Sequence, residues 1–76
     1  MKEEIRAFLE ENKKTGGIKD DEDLFKKGYV NSLFALQLVI FLEATFKIRI
    51  KNKDITEDNF RTINNICETV SRLKGE

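Results

Sequence analysis

The chain has 76 residues, with 14 basic and 14 acidic side chains and no histidine, so its formal charge is zero; charged residues make up 37 % and hydrophobic ones 39 %. This length suits one domain, residues 1–76, with a small margin of stability. Without histidine, no Ser-His or Cys-His nucleophile pair and no imidazole metal ligand can form; one cysteine makes neither an internal disulfide nor a zinc site, and balanced charge argues against a nucleic-acid binder.

No proline occurs and β-branched residues alternate over no long run, so the chain reads as all-α, helices joined by loops. Met1-Lys2-Glu3-Glu4 leads straight into an acidic helical stretch without a signal-peptide pattern, which sets the expectation of a cytoplasmic protein. The first helix is expected over about Lys2 to Lys14, where Ile5, Phe8 and Leu9 form one apolar stripe, with Gly16-Gly17 stopping it. From Ile18 to Asn31 the sequence is loop-like, but Ile18, Leu24, Phe25, Tyr29 and Val30 are too apolar for a free linker and should lie against the core. The run Asp20-Asp21-Glu22-Asp23 lacks the glycine and closing glutamate of a calcium loop and reads as a solvated acidic turn.

Eleven of the 14 residues from Leu33 to Phe46 are apolar, interrupted by Gln37, Glu43 and Thr45. A helix this apolar is central in a bundle or shows a face to a partner, and it is too short to span a bilayer, which needs about 20 residues. Leu38, Leu42 and Phe46 make one core stripe at four-residue spacing. Lys47 to Ile50 reads as a connection whose Ile48 and Ile50 plug the core. Asp54, followed three residues later by Glu57, resembles a capping box opening a short third helix that ends near Phe60. The last helix starts around Thr62 and aligns Ile63, Ile66, Cys67, Val70 and Leu73 on one stripe, to be met by Ile5, Phe8 and Leu9, with Cys67 a small buried hydrophobe.

The segment Gly28-Tyr29-Val30-Asn31-Ser32-Leu33 leads into the most apolar helix and sets Ser32 at or beside its N-terminus, where free backbone N–H groups and the helix dipole favour an anion. An unaided serine hydroxyl is a poor nucleophile, and the chain holds no histidine to activate it. Taken alone, the residues favour a plain cap, by Ser32 or by Asn31.

Over nearly its whole length the chain resembles the acyl carrier and peptidyl carrier proteins that bear 4′-phosphopantetheine. The resemblance runs through Asp23-Leu24-Phe25, Gly28, Asn31-Ser32-Leu33, Leu38-Val39, Leu42-Glu43, Phe46, Ile48, Ile50, Phe60, Thr62-Ile63 and Ile66. It implies a four-helix bundle of the acyl-carrier type with a long first loop and a short third helix. It also implies that Ser32 receives the 4′-phosphopantetheine arm from a separate phosphopantetheinyl transferase, and that the arm's thiol, not Cys67, holds the cargo as a thioester. The chain itself would then be no enzyme and would hold no metal. Asn31 stands where the family usually has aspartate, which removes a charge that its transferases meet beside their metal.

Val30-Asn31-Ser32-Leu33-Phe34-Ala35 with Gln37-Leu38-Val39 is similar to discrete carriers of specialised polyketide or non-ribosomal peptide pathways, in particular those of hydroxymalonyl- or methoxymalonyl-type units. A fatty-acid carrier, typically acidic where Phe34, Gln37 and Ala44 stand here, is the alternative within the family; a small helical interaction module with Ser32 as a helix cap is the alternative outside it. The carrier reading implies a monomer that meets the transferase, an acyl-loading enzyme and downstream synthase or tailoring enzymes, without nucleic acid or membrane. Asn31, Leu33, Leu36, Gln37, Ile40 and Ala44 are its expected partner-binding residues, and docking through so apolar a face should change little with salt.

Overall fold

Amphipathic spacing, caps and one uniformly apolar segment produce four helices. A computed structural model describes residues 1–75, with α1 over Lys2–Lys13, α2 over Ser32–Phe46, α3 over Glu57–Phe60, α4 over Ile63–Lys74 and a 3-10 turn at Asn52–Asp54. No strand occurs among the described residues, so Lys47 to Ile50 is a connection as expected. No helix is long and apolar enough to cross a membrane.

Helix α1 buries Ile5 and Leu9, with Phe8 half-buried, and packs on α4, which buries Ile63, Ile66 and Val70. Cys67 and Leu73 sit half-buried at the edge of that stripe, and Thr69 is buried beside it. The Thr69 hydroxyl donates to the Asn65 carbonyl one turn back, at 2.9 Å, which lets a polar residue share the core face. Helix α2 buries Leu38, Leu42 and Phe46 as its spacing predicts, and Phe34, Ala35 and Val39 as well. The half-buried Phe8 ring joins α1 to α2, stacking on Phe41 at 4.2 Å and on Phe34 at 5.9 Å between centroids.

Three local expectations are corrected. The first helix ends at Lys13, not Lys14, and the glycine pair does not stop it: Lys14 itself takes the left-handed conformation (φ 51°), its amide turned back to the Glu10 and Glu11 carbonyls. Asp54 does not cap α3. It belongs to the 3-10 turn, and Thr56 is the cap, accepting the Asn59 amide at 3.2 Å. The acidic run is not a freely solvated turn but the frame of the loop. Asp20 pairs with Lys2 at 3.3 Å and with Arg6. Glu22 accepts the Lys19 amide at 3.0 Å and faces Lys27 at 3.3 Å, and Asp23 accepts the amides of Phe25 and Lys26 at 3.1 and 2.9 Å.

These contacts tie the long loop to the bundle. Ile18, Leu24 and Val30 are buried, while Phe25 and Tyr29 are half-buried. Leu24 is the anchor: its amide donates to the Arg61 carbonyl at 2.7 Å, and its own carbonyl receives the amides of Tyr29 and Val30 at 2.9 and 3.1 Å.

Candidate functional site

The double bond to the Leu24 carbonyl closes residues 24–30 into a tight loop that sets the chain down at the start of α2. Gly28 makes the reversal possible, because its φ of 79° lies where a side chain would be strained. Val30, 2 % exposed, pins the end of the loop to the core. The next residue, Asn31, is extended (φ −137°, ψ −180°) and caps α2: its side-chain Oδ1 accepts the Phe34 amide at 2.8 Å, and its carbonyl accepts the Ala35 amide at 2.8 Å.

Ser32 is the first helical residue and is exposed. Its hydroxyl makes no hydrogen bond among the described residues, so the cap proposed for Ser32 is supplied by Asn31 instead. The amides of Ser32 and Leu33 likewise have no partner among the described residues. An exposed hydroxyl with no structural duty thus stands over two free N–H groups at the positive end of a 15-residue helix. Esterifying it with phosphate would disturb no bond of the fold and would set the charge where helix geometry favours it. The chain's one other serine, Ser71, lies in the C-terminal half of α4, where the dipole has the opposite sign.

Beside the Ser32 hydroxyl opens a cleft of about 570 Å³. Its apolar lining comes from Phe25 and Val30 of the loop, Ala35 of α2, and Ile55 and Phe60 around α3, with Thr56 and Glu57 as its polar wall. On the other side of Asn31 a smaller groove of about 230 Å³ is lined by Asn12, Lys13, Leu33 and Phe34. Lys13 lies with its ammonium 4.0 Å from the centre of the Phe34 ring, adding a cation to that side of the helix end.

The residues read as a partner face are all exposed: Leu33 at 74 %, Ile40 at 67 %, Leu36 at 54 %, and Asn31, Gln37 and Ala44 with them. The wall formed by Ile55, Thr56 and Glu57 had no readable signal, because these residues belong to no periodic stripe. Cys67 lies on the α4 stripe, half-buried, and burial pushes its thiol above the usual range, opposite to what a reactive thiolate needs.

No family model matches the chain. Individual relatives do. The D-alanyl carrier protein of Streptococcus thermophilus is 37 % identical over 55 residues, 72 % of this chain and 70 % of the relative. The D-alanyl carrier protein of Streptococcus pyogenes serotype M1 is 35 % identical over 54 residues, 71 % of this chain and 68 % of the relative. The chain belongs to the family of small phosphopantetheine-bearing carrier proteins. Carriers of this family hold the cofactor covalently, and the free hydroxyl, the two open amides and the adjoining cleft of this carrier fit such a group. A covalent arm presupposes a transferase that attaches it and an enzyme that loads it.

Proposed function

We propose that Ser32 is the attachment residue and that the chain tethers a small acyl unit for enzymes that supply all of the chemistry. The observation that carries this is the division of labour at the α2 N-terminus, with Asn31 holding the helix and the exposed Ser32 hydroxyl left free. The bound group supplies a thiol on which the cargo is held as a thioester. The chain's own residues do the rest: Leu24 and Gly28 fix the loop, Asn31 fixes the helix, and the Phe25–Phe60 cleft offers apolar surface beside the hydroxyl. A flexible tether raises the local concentration of its cargo at each partner's active site. The chain has no histidine to activate the hydroxyl, which supports reading it as a carrier whose partners are the enzymes.

For the cargo, the run Val30-Asn31-Ser32-Leu33-Phe34-Ala35 supports a discrete carrier of specialised polyketide or peptide assembly, with a hydroxymalonyl- or methoxymalonyl-type unit. The names of the relatives support a second reading, a D-alanyl thioester. Both cargoes are short and polar, unlike the chains of a fatty-acid carrier. Intact mass of the protein recovered from its own cells decides among them. A phosphopantetheine increment carrying a hydroxymalonyl or methoxymalonyl group supports the first reading, and one alanyl residue the second. A long saturated acyl group would overturn both, and the absence of any arm would overturn the assignment of the chain's role.

A further inference from the structure

The seven residues that follow α2 hold a charge pattern that tethering leaves unused. Lys47, Arg49, Lys51 and Lys53 are four of the chain's 14 basic residues, and no acid lies among them. All four are exposed, while the intervening Ile48 is half-buried and Ile50 buried, so the segment turns its cations outward and its isoleucines inward. The segment is held in this form: the Ile50 amide donates to the Glu43 carboxylate at 2.8 Å, and Lys51 is extended (φ −90°, ψ 162°).

Elsewhere, among the described residues, five of the ten cations are matched, and the unpaired Lys13, Lys14, Lys19 and Lys26 lie singly or in pairs within stretches that also hold acids. Lys2 and Arg6 face Asp20, Lys27 faces Glu22, and Arg61 faces Asp58. Among the described residues, none of the four cations after α2 has an ion pair or a side-chain hydrogen bond. Asp54, the acid that follows them, is engaged by Arg72 at 3.8 Å. Lys74 reaches across from α4 to the Phe46 carbonyl at 3.2 Å and brings a fifth cation to the start of the segment. Cations two residues apart are separated by at most about 7 Å of backbone, whatever its conformation. Adjacent charges therefore fall within a screening length of about 8 Å at physiological salt and act together on an approaching surface.

We propose that residues 47–53 are a docking edge for an acidic patch on a partner protein, continuing the exposed α2 face, so that one partner meets both this edge and the arm at Ser32. The inference rests on the carrier reading, because the α2 face runs from Ser32 past Ile40 and Ala44 directly to Lys47. A protein patch fits better than the other polyanions. The segment exposes no fully apolar side chain to enter a bilayer, since both isoleucines turn inward. Outside these seven residues the chain is net acidic, which repels a long nucleic acid but leaves a local acidic patch unopposed. Zero net charge thus hides a segregated surface. The small salt dependence expected of the apolar α2 face is joined by a salt-sensitive contribution from its far end.

The test uses the full chain carrying its arm and a variant, Arg49→Gln/Lys51→Gln/Lys53→Gln, that retains Lys47 at the helix end. Poly-L-glutamate, phosphatidylcholine vesicles containing phosphatidylglycerol, and a short DNA duplex are titrated while backbone-amide shifts are followed. Poly-L-glutamate is expected to move the amides of residues 47–53 at low salt and to bind the variant at least about tenfold more weakly, the scale on which charge steering acts. With the enzyme that acylates the arm-bearing chain, the variant should raise KM about tenfold at low salt and leave kcat unchanged, the difference disappearing at moderate salt. Tighter binding to vesicles or duplex than to poly-L-glutamate, shifts confined to other residues, or an unchanged KM would each overturn the proposal. Should the triple variant fail to fold, Arg49→Gln and the salt series of the unsubstituted chain give the same readings. Whether Ser32 acquires the arm is read separately by mass, so loss of the carrier reading and loss of the docking edge are told apart.

Discussion

Asn31 and Ser32 are neighbours with separable tasks. The Asn31 carboxamide satisfies the Phe34 amide, so Asn31→Ala should cost about 0.5–2 kcal/mol. In a domain of this size that lowers Tm by several degrees, at roughly 4–8 °C per kcal/mol, while mass spectrometry should still find the arm attached. Ser32→Ala should do the reverse, with an unchanged melting curve and no arm. Equal destabilisation by the two substitutions would show that the Ser32 hydroxyl helps to hold the helix. Cys67 gives a residue-scale prediction in pH. Burial raises its thiol above the usual range. Its contribution to stability is therefore complete below the ordinary thiol pKa and is lost as pH rises through the folded value. Melting temperatures taken across the alkaline range should fall more steeply for the native chain than for Cys67→Ala; parallel curves would contradict the assignment.

At the scale of elements, α2 has two apolar faces with different fates, and the sequence phased them only in part. In α1 and α4 a single stripe among charges tells a reader which side is inside, and Ile5, Leu9, Ile63, Ile66 and Val70 are all buried. In α2 the apolar residues run all round, so periodicity picked out Leu38, Leu42 and Phe46 but not Phe34, Ala35 and Val39, which are buried as well, Phe34 through its stack on Phe8. The start of α4 was legible at Thr62, where a clear stripe begins, and there the Thr62 hydroxyl accepts the Asn65 amide at 3.0 Å. The cap of α3 was read at Asp54 instead of Thr56, because Glu57-Asp58-Asn59-Phe60 is too short to show a period and Asp54 offered a competing acid. The place of Ser32 at the start of α2 was legible, and its reading as the arm-bearing residue came from the family resemblance rather than from position; the wall of its cleft, drawn from three separate elements, was not legible. Two substitutions test the phase of the bundle. Ile66→Ala empties a fully buried site and should cost about 2–5 kcal/mol, leaving a largely unfolded or molten chain. Ile40→Glu, at a position 67 % exposed, should retain helix content and Tm while impairing reactions with partner enzymes. Circular dichroism melts read both, and unfolding by Ile40→Glu would place that residue in the core.

For the whole molecule, a bundle 30 × 22 × 19 Å in extent holds its long loop by hydrogen bonds to α4 and to the turn before it, and presents Ser32 at one end of α2 with a run of four exposed cations at the other. Such a layout suits a protein whose task is to be held by others: a fixed serine, an apolar approach face and a charged far edge. The central claim is that Ser32, and no other hydroxyl, bears the arm. It is tested most directly by coexpression with a broad-specificity phosphopantetheinyl transferase, trypsin digestion and fragment mass analysis. The account predicts one phosphopantetheine group, carried on the peptide from Gly28 to Lys47 and absent from Ser32→Ala. An arm on the peptide that contains Ser71, or a chain that stays unmodified while a known carrier in the same cells is converted, would contradict it.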